Sequence, residues 1–211
     1  SNVGGSLIQT GDGDQSLVAT ETLDNTNGLI ATNAANLAIQ TQQLINQSNG
    51  LNAENKPNTA QIQHAGTGAF SLAVTVLDGQ NGELISNGAL NLQGDVVNLD
   101  GASTSAKLLN VNTKTLSNVG GQLIQTGDGD QSLVATETLD NTNGLIATNA
   151  ANLAIQTQQL INKSVNLSSE LNDENEPNTA QIQHAGTGDF TLAATVLDGQ
   201  NGELISNGAL N

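Results

Sequence analysis

The chain contains most of itself twice. Ser1–Asn46 recurs as Ser117–Asn162 at an offset of 116, with one change in 46 positions, Ser6 to Gln122. Leu51–Asn91 recurs as Leu171–Asn211, but at an offset of 120. Four residues are therefore inserted between the two blocks, where Val165–Glu170 replaces Asn49-Gly50. Fixed-period self-similarity is the signature of architectures in which each unit buries its apolar face only against its neighbours. An indel between near-identical blocks marks a surface loop, because a packed strand cannot absorb four residues.

A shorter period lies inside the long one. Leu23-Asp24-Asn25, Leu44-Ile45-Asn46, Leu77-Asp78-Gly79, Leu99-Asp100-Gly101 and Leu116-Ser117-Asn118 return as Leu139-Asp140-Asn141, Leu160-Ile161-Asn162 and Leu197-Asp198-Gly199. The leucines are 21, 33, 22, 17, 23, 21 and 37 residues apart, and the two long intervals hold the indel loop. Between them run Phe70-x-Leu72-x-Val74, Leu90-x-Leu92 and Leu109-x-Val111, the alternation of a strand with one buried face. Asn-Gly and Asp-Gly pairs supply corners that tolerate positive φ. The pattern predicts an all-β chain, a right-handed parallel β-helix of roughly 22-residue coils with three short strands per coil. Residues 1–116 form repeat unit 1 and 117–211 an incomplete repeat unit 2 of one continuous solenoid, with surface loops near 47–58 and 163–178. A helix over Asn33–Leu44 is the first rival, but Asn, Thr and Gly interrupt its pattern. A β-sandwich is the second, and sandwiches do not carry so fixed an internal repeat.

Composition then removes function classes. Four lysines, no arginine and twenty acids give a net charge of −16, which argues against a nucleic-acid partner and against a polybasic membrane-surface module. No apolar run approaches the roughly 18 to 20 residues of a membrane span, and no cleavable signal opens the chain. With no cysteine there is neither a disulfide framework nor a Cys-based zinc site. Asn and Gly make 52 of the 211 residues, yet the fixed spacing of Leu, Ile and Val is not that of a disordered chain.

Leu23-Asp24-Asn25-Thr26-Asn27-Gly28-Leu29-Ile30 followed by Asn36-Leu37-Ala38-Ile39 resembles the haemagglutinin repeat of filamentous-haemagglutinin-like exoproteins. Leu116–Ile124 and Leu77–Ile85 resemble it too, so the likeness spans essentially the whole chain. That family comprises two-partner-secreted proteins of Gram-negative bacteria, among them adhesins and carriers of contact-dependent growth-inhibition toxins. The resemblance implies a filament or stalk at the cell surface that holds adhesive or toxin-bearing parts away from the cell. It also implies an outer-membrane transporter as partner and continuation into neighbouring repeats. A direct adhesin, touching a receptor or glycan through the loops Gln47–Asn58 and Lys163–Asn178, is the second reading. The lack of cysteine suits a chain threaded unfolded through a pore, and local contacts suit folding coil by coil.

Chemistry-bearing residues are few, and the expectation is no enzyme, no cofactor and no metal. Gly11-Asp12-Gly13-Asp14 and Gly127-Asp128-Gly129-Asp130 could offer Ca²⁺ carboxylates and turn carbonyls, but lack a β-roll or EF-hand pattern and read as solvated turns. His64 and His184, each in Ile-Gln-His-Ala-Gly-Thr-Gly, read as surface or coil-edge histidines. Asn25, Asn46, Asn118, Asn141 and Asn162 read as an inter-coil amide ladder. Gly66-Thr67-Gly68 has neither a P-loop lysine nor Rossmann spacing. Asp78 and Asp100 could pair as hydrolytic carboxylates on adjacent coils, although turn aspartates explain both. Lys56, Lys107, Lys114 and Lys163 are too scattered for a polyuronate lyase. The threonines are too irregular for an ice-binding array.

Overall fold

The computed structural model describes residues 1–165 and 179–211. The chain winds as a right-handed parallel β-solenoid. Successive coils are tied by the register Ser6↔Leu29↔Gln61↔Glu83↔Ser103↔Gln122↔Leu145↔Gln181↔Glu203, steps of 23, 32, 22, 20, 19, 23, 36 and 22 residues. These pairs define face A. Face B stacks Gln15, Leu37, Phe70 and Leu90, and later Gln131, Leu153 and Phe190. Face C stacks Leu23, Leu44, Leu77, Val97, Leu116, Leu139, Leu160 and Leu197. Three strands per coil around a triangular core is the expected architecture.

The core follows from strand alternation. Every second residue of each face points inward, so Ile30, Ile62, Leu84, Thr104, Leu123, Ile146 and Ile182 form one buried column beneath face A. Phe70 and Phe190, the only aromatic hydrocarbons of the chain, sit at equivalent points beneath face B. Each buried leucine, isoleucine or phenylalanine contributes about 1.5–3 kcal/mol. The first repeat unit is five coils long, so coil 6 begins at Gln122 as coil 1 begins at Ser6.

One register differs from the sequence expectation. Leu99 does not continue the leucine column of face C; Val97 does, pairing with Leu77 on one side and Leu116 on the other. The supposed units of 22 and 17 residues thereby become two short coils of 20 and 19 residues. The residues are missing from the corner between faces A and B. There the strands Glu83–Gln93 and Ser103–Ser117 pass from one face to the next without the break between strands found in other coils.

Leu99 instead stands two residues past Val97, at the position that asparagine holds elsewhere. Asn2 Nδ2 donates to Asn25 Oδ1 and Asn25 Nδ2 to Asn46 Oδ1, both at 2.7 Å. Asn118 donates to Asn141 at 2.7 Å, and Asn141 to Asn162 at 2.8 Å. The expected amide ladder is therefore present, in two runs of three separated by Gly79 and Leu99. In the coils without the inserted loop the chain turns at positive φ two residues beyond this position, as at Asn27 (54°), Gly101 (64°), Gly120 (62°) and Asn143 (54°). Only glycine, and asparagine at small cost, enters that region readily.

The indel occupies this same corner. Ser48 replaces the positive-φ residue, and its Oγ accepts from Ala60 N at 2.8 Å, closing the neck of a loop; Ser164 Oγ accepts from Ala180 N in the same way. Beyond the first neck, Asn52 Oδ1 accepts from Glu54 N and Lys56 N, and Leu51 bridges Pro57 antiparallel. Most of the second loop, with Asp173 and Glu176, lies outside the described residues.

Candidate functional site

The two histidines are the residues that sequence reasoning misplaced. His64 and His184 are not at the surface: they are 0 % and 1 % exposed. The cause is phase. Ile62-x-His64 and Ile182-x-His184 place each histidine on the inward side of a face-A strand, one alternation past a core isoleucine. His64 Nε2–H donates to the Ala34 carbonyl at 3.0 Å, and His64 Nδ1 pairs with Ser86 Oγ at 3.1 Å. Because a carbonyl can only accept, a proton is assigned to Nε2. Gly88 N–H in turn donates to Ser86 Oγ at 3.2 Å. The second copy repeats the arrangement, with His184 at 3.0 Å from both Ala150 O and Ser206 Oγ.

A histidine hydrogen-bonded to a serine is the geometry of an activated nucleophile. Here the pair is built into the wall. His64 is enclosed, Ser86 is 5 % exposed, and Phe70 packs on the imidazole with ring centres 6.1 Å apart. The same inward column carries Thr32 and Thr148, whose hydroxyls accept from Ala34 N and Ala150 N at 3.0 Å. Histidine and hydroxyl residues thus do one job, pinning the backbone of the A–B corner from inside.

The Asp-Gly turns are likewise occupied. Gln9 Nε2 donates to Gly13 O at 2.6 Å, and Gln125 Nε2 donates to Gly127 O and Gly129 O. The carbonyls a cation would use therefore already face an amide donor. Asp14 Oδ1 accepts from Asn36 N and Nδ2 at 3.1 and 2.9 Å, and Asp130 does the same with Asn152. Among the described residues no three His, Cys, Asp or Glu side chains converge. Asp78 is stacked on Asn98 rather than on Asp100. Asp100 spends its Oδ1 on Ser117 Oγ and Val119 N. The structure does not bring those two carboxylates into register.

Gly66 and Gly68 press against the carbonyls of Ala34 and Ala35 in the coil below, so they serve close stacking rather than a phosphate cradle. Three lysines form surface ion pairs: Lys56 with Glu54 at 3.5 Å, Lys114 with Asp95 at 2.8 Å and Lys163 with Asp198 at 3.3 Å. The hydrogen bond and charge of Asp95 raise the Lys114 ammonium above the ordinary lysine value.

What remains open to solvent is extended rather than concave. A shallow groove of about 860 Å³ runs along the B–C edge past Gln40, Gln42, Thr75, Asn112, Lys114 and Thr136. It is a corner of the coil followed over several turns, lined by hydroxyls and amides with the Asp95–Lys114 ion pair among them. No helix of the described residues is long and apolar enough to cross a membrane. No protein-family model, curated protein or solved structure matches the chain.

Proposed function

We propose that this chain is a structural segment of a bacterial surface filament, a stalk that presents adhesive or toxin-bearing regions away from the cell and performs no catalysis. The observation that carries the reading is the five-coil repeat. Coil 6 stacks on coil 5 through the same continuous core, so units add length without a new interface. The buried polar groups serve the wall: the histidines, serines and asparagines bond to neighbouring coils. The resemblance to the haemagglutinin repeat supports secretion through an outer-membrane two-partner transporter, display on a Gram-negative cell and continuation into further repeats.

The test is a spacer experiment. The chain is placed between an outer-membrane anchor and an epitope, with one or two extra copies of residues 1–116. Epitope height should rise by about 24 Å per copy, five coils at about 4.8 Å each. No increase with copy number refutes the stalk.

A direct adhesin is the second reading. It is favoured by the first loop, which stands off the coil and exposes Leu51 to 58 %. Replacing Ser48–Ala60 with Asn-Gly abolishes attachment to a receptor or glycan on this reading and leaves it intact on the first.

A further inference from the structure

Where the charge is not is as informative as where it is. Face C carries Asp24, Asp78, Asp140 and Asp198 outward, and face A carries Glu83 and Glu203. The corners hold most of the other acids. Face B has none: from Ser16 in coil 1 to Ala193 in coil 8, no outward side chain is charged and none exceeds glutamine in length. Its middle is two columns of amides and small residues, Asn91, Asn110 and Ser132 beside Gln93, Asn112 and Val134. Between them runs a furrow of about 270 Å³.

We propose that face B is a lateral docking surface for a second copy of this chain, which goes beyond the stalk reading by bundling stalks side by side. Charge selects the face. Two copies carrying −16 each repel one another; contact through face C sets carboxylates against carboxylates, and contact through face A would bury the charges of Glu83 and Glu203. Contact through face B sets amides and hydroxyls together, and amides are self-complementary, each offering donors and an acceptor. A two-fold axis lying in the plane of the face lets the same columns serve both partners.

The area suffices. Eight coils at about 4.8 Å and a strand about 16 Å wide give roughly 600 Å² per partner, about 1,200 Å² in all, the lower bound of specific interfaces. Asp14, Asp130 and Asp189 on one edge and Glu21 and Glu137 on the other form acidic rims, with Asp95 between the latter two already paired to Lys114. Association therefore strengthens as salt screens them.

Sedimentation velocity from about 10 μM to 1 mM protein, at low and high salt, tests this. The wild type should dimerise, more at 500 mM than at about 50 mM NaCl. Ser132→Glu with Ala154→Glu, both on face B, should weaken the dimer about tenfold or more. Ser103→Glu with Gln122→Glu adds the same charge to face A and should leave it intact. Far-UV circular dichroism confirms that both variants fold. A wild type that stays monomeric at 1 mM and high salt overturns the proposal, whether or not it binds a neutral polysaccharide. So does equal weakening by the face-A pair, or scattering from an end-to-end dimer of doubled length.

Discussion

Replacing Asn141 by leucine should cost far more than replacing Asn118, although both are fully buried rungs of one ladder. The difference lies one coil below. Beneath Asn118 stands Leu99, so Asn118 Oδ1 is a buried acceptor with no donor. Asn118→Leu removes that orphan and creates one at Asn141 Oδ1, which loses its 2.7 Å donor. The number of unpaired acceptors is unchanged, the other bonds lost are long ones of 3.3 Å, and the new leucine packs on Leu99. Asn141→Leu leaves the Asn118 orphan in place and adds another at Asn162 Oδ1, which loses its 2.8 Å donor. It also strips the Gly144 and Gln181 carbonyls of bonds of 2.9 and 3.1 Å. At about 1–3 kcal/mol per buried group left unpaired, Asn141→Leu should cost about 2–4 kcal/mol and Asn118→Leu less than about 1. With no Trp or Tyr in the chain, far-UV circular dichroism during urea unfolding is the assay, the midpoint shift being read at constant slope. Equal costs for the two variants refute the ladder accounting.

Thr104 is 0 % exposed in the column between Leu84 and Leu123, and its hydroxyl pairs with nothing among the described residues; Thr104→Val should stabilise by about 1 kcal/mol in the same assay. Asn143, held at φ 54°, should accept glycine with little change, while Asn143→Val should cost about 2 kcal/mol. Leu139→Asp should melt the coils around it by several kcal/mol, whereas replacing Ser48–Ala60 with Asn-Gly should shift stability by less than about 1. Lys114 should titrate above a free lysine by NMR and return towards it in Asp95→Asn. Because its folded value is the raised one, the pair's contribution is present below the ordinary lysine range and is lost as pH climbs through the folded value.

The solenoid was legible because apolar alternation and the long repeat agree: Leu37, Ile39, Phe70 and Leu72 lie inward as their spacing requires. The ladder was legible from asparagine recurring two residues after a core leucine. Two things were hidden. Leu99 carries the Leu-Asp-Gly motif yet belongs to the ladder column, and only the pairing of Val97 with Leu77 and Leu116 reveals it. His64 was read by its chemistry, as a polar residue, when its phase relative to Ile62 already placed it inside. A buried imidazole needs partners, and these come from Ala34 and Ser86, 30 and 22 residues away in sequence, which no local motif announces.

Paired spin labels test the stacking itself, and the absence of native cysteine makes them clean to introduce. Ser16 and Ser132 are equivalent positions one five-coil unit apart on face B, and so are Ala38 and Ala154. Labelled as Ser16→Cys with Ser132→Cys, and as Ala38→Cys with Ala154→Cys, both pairs should give narrow distributions centred near the same distance. That distance is about 24 Å between backbones, five coils at about 4.8 Å. Broad distributions, or two centres that differ by more than about one coil spacing, contradict a single solenoid built from a repeated five-coil unit.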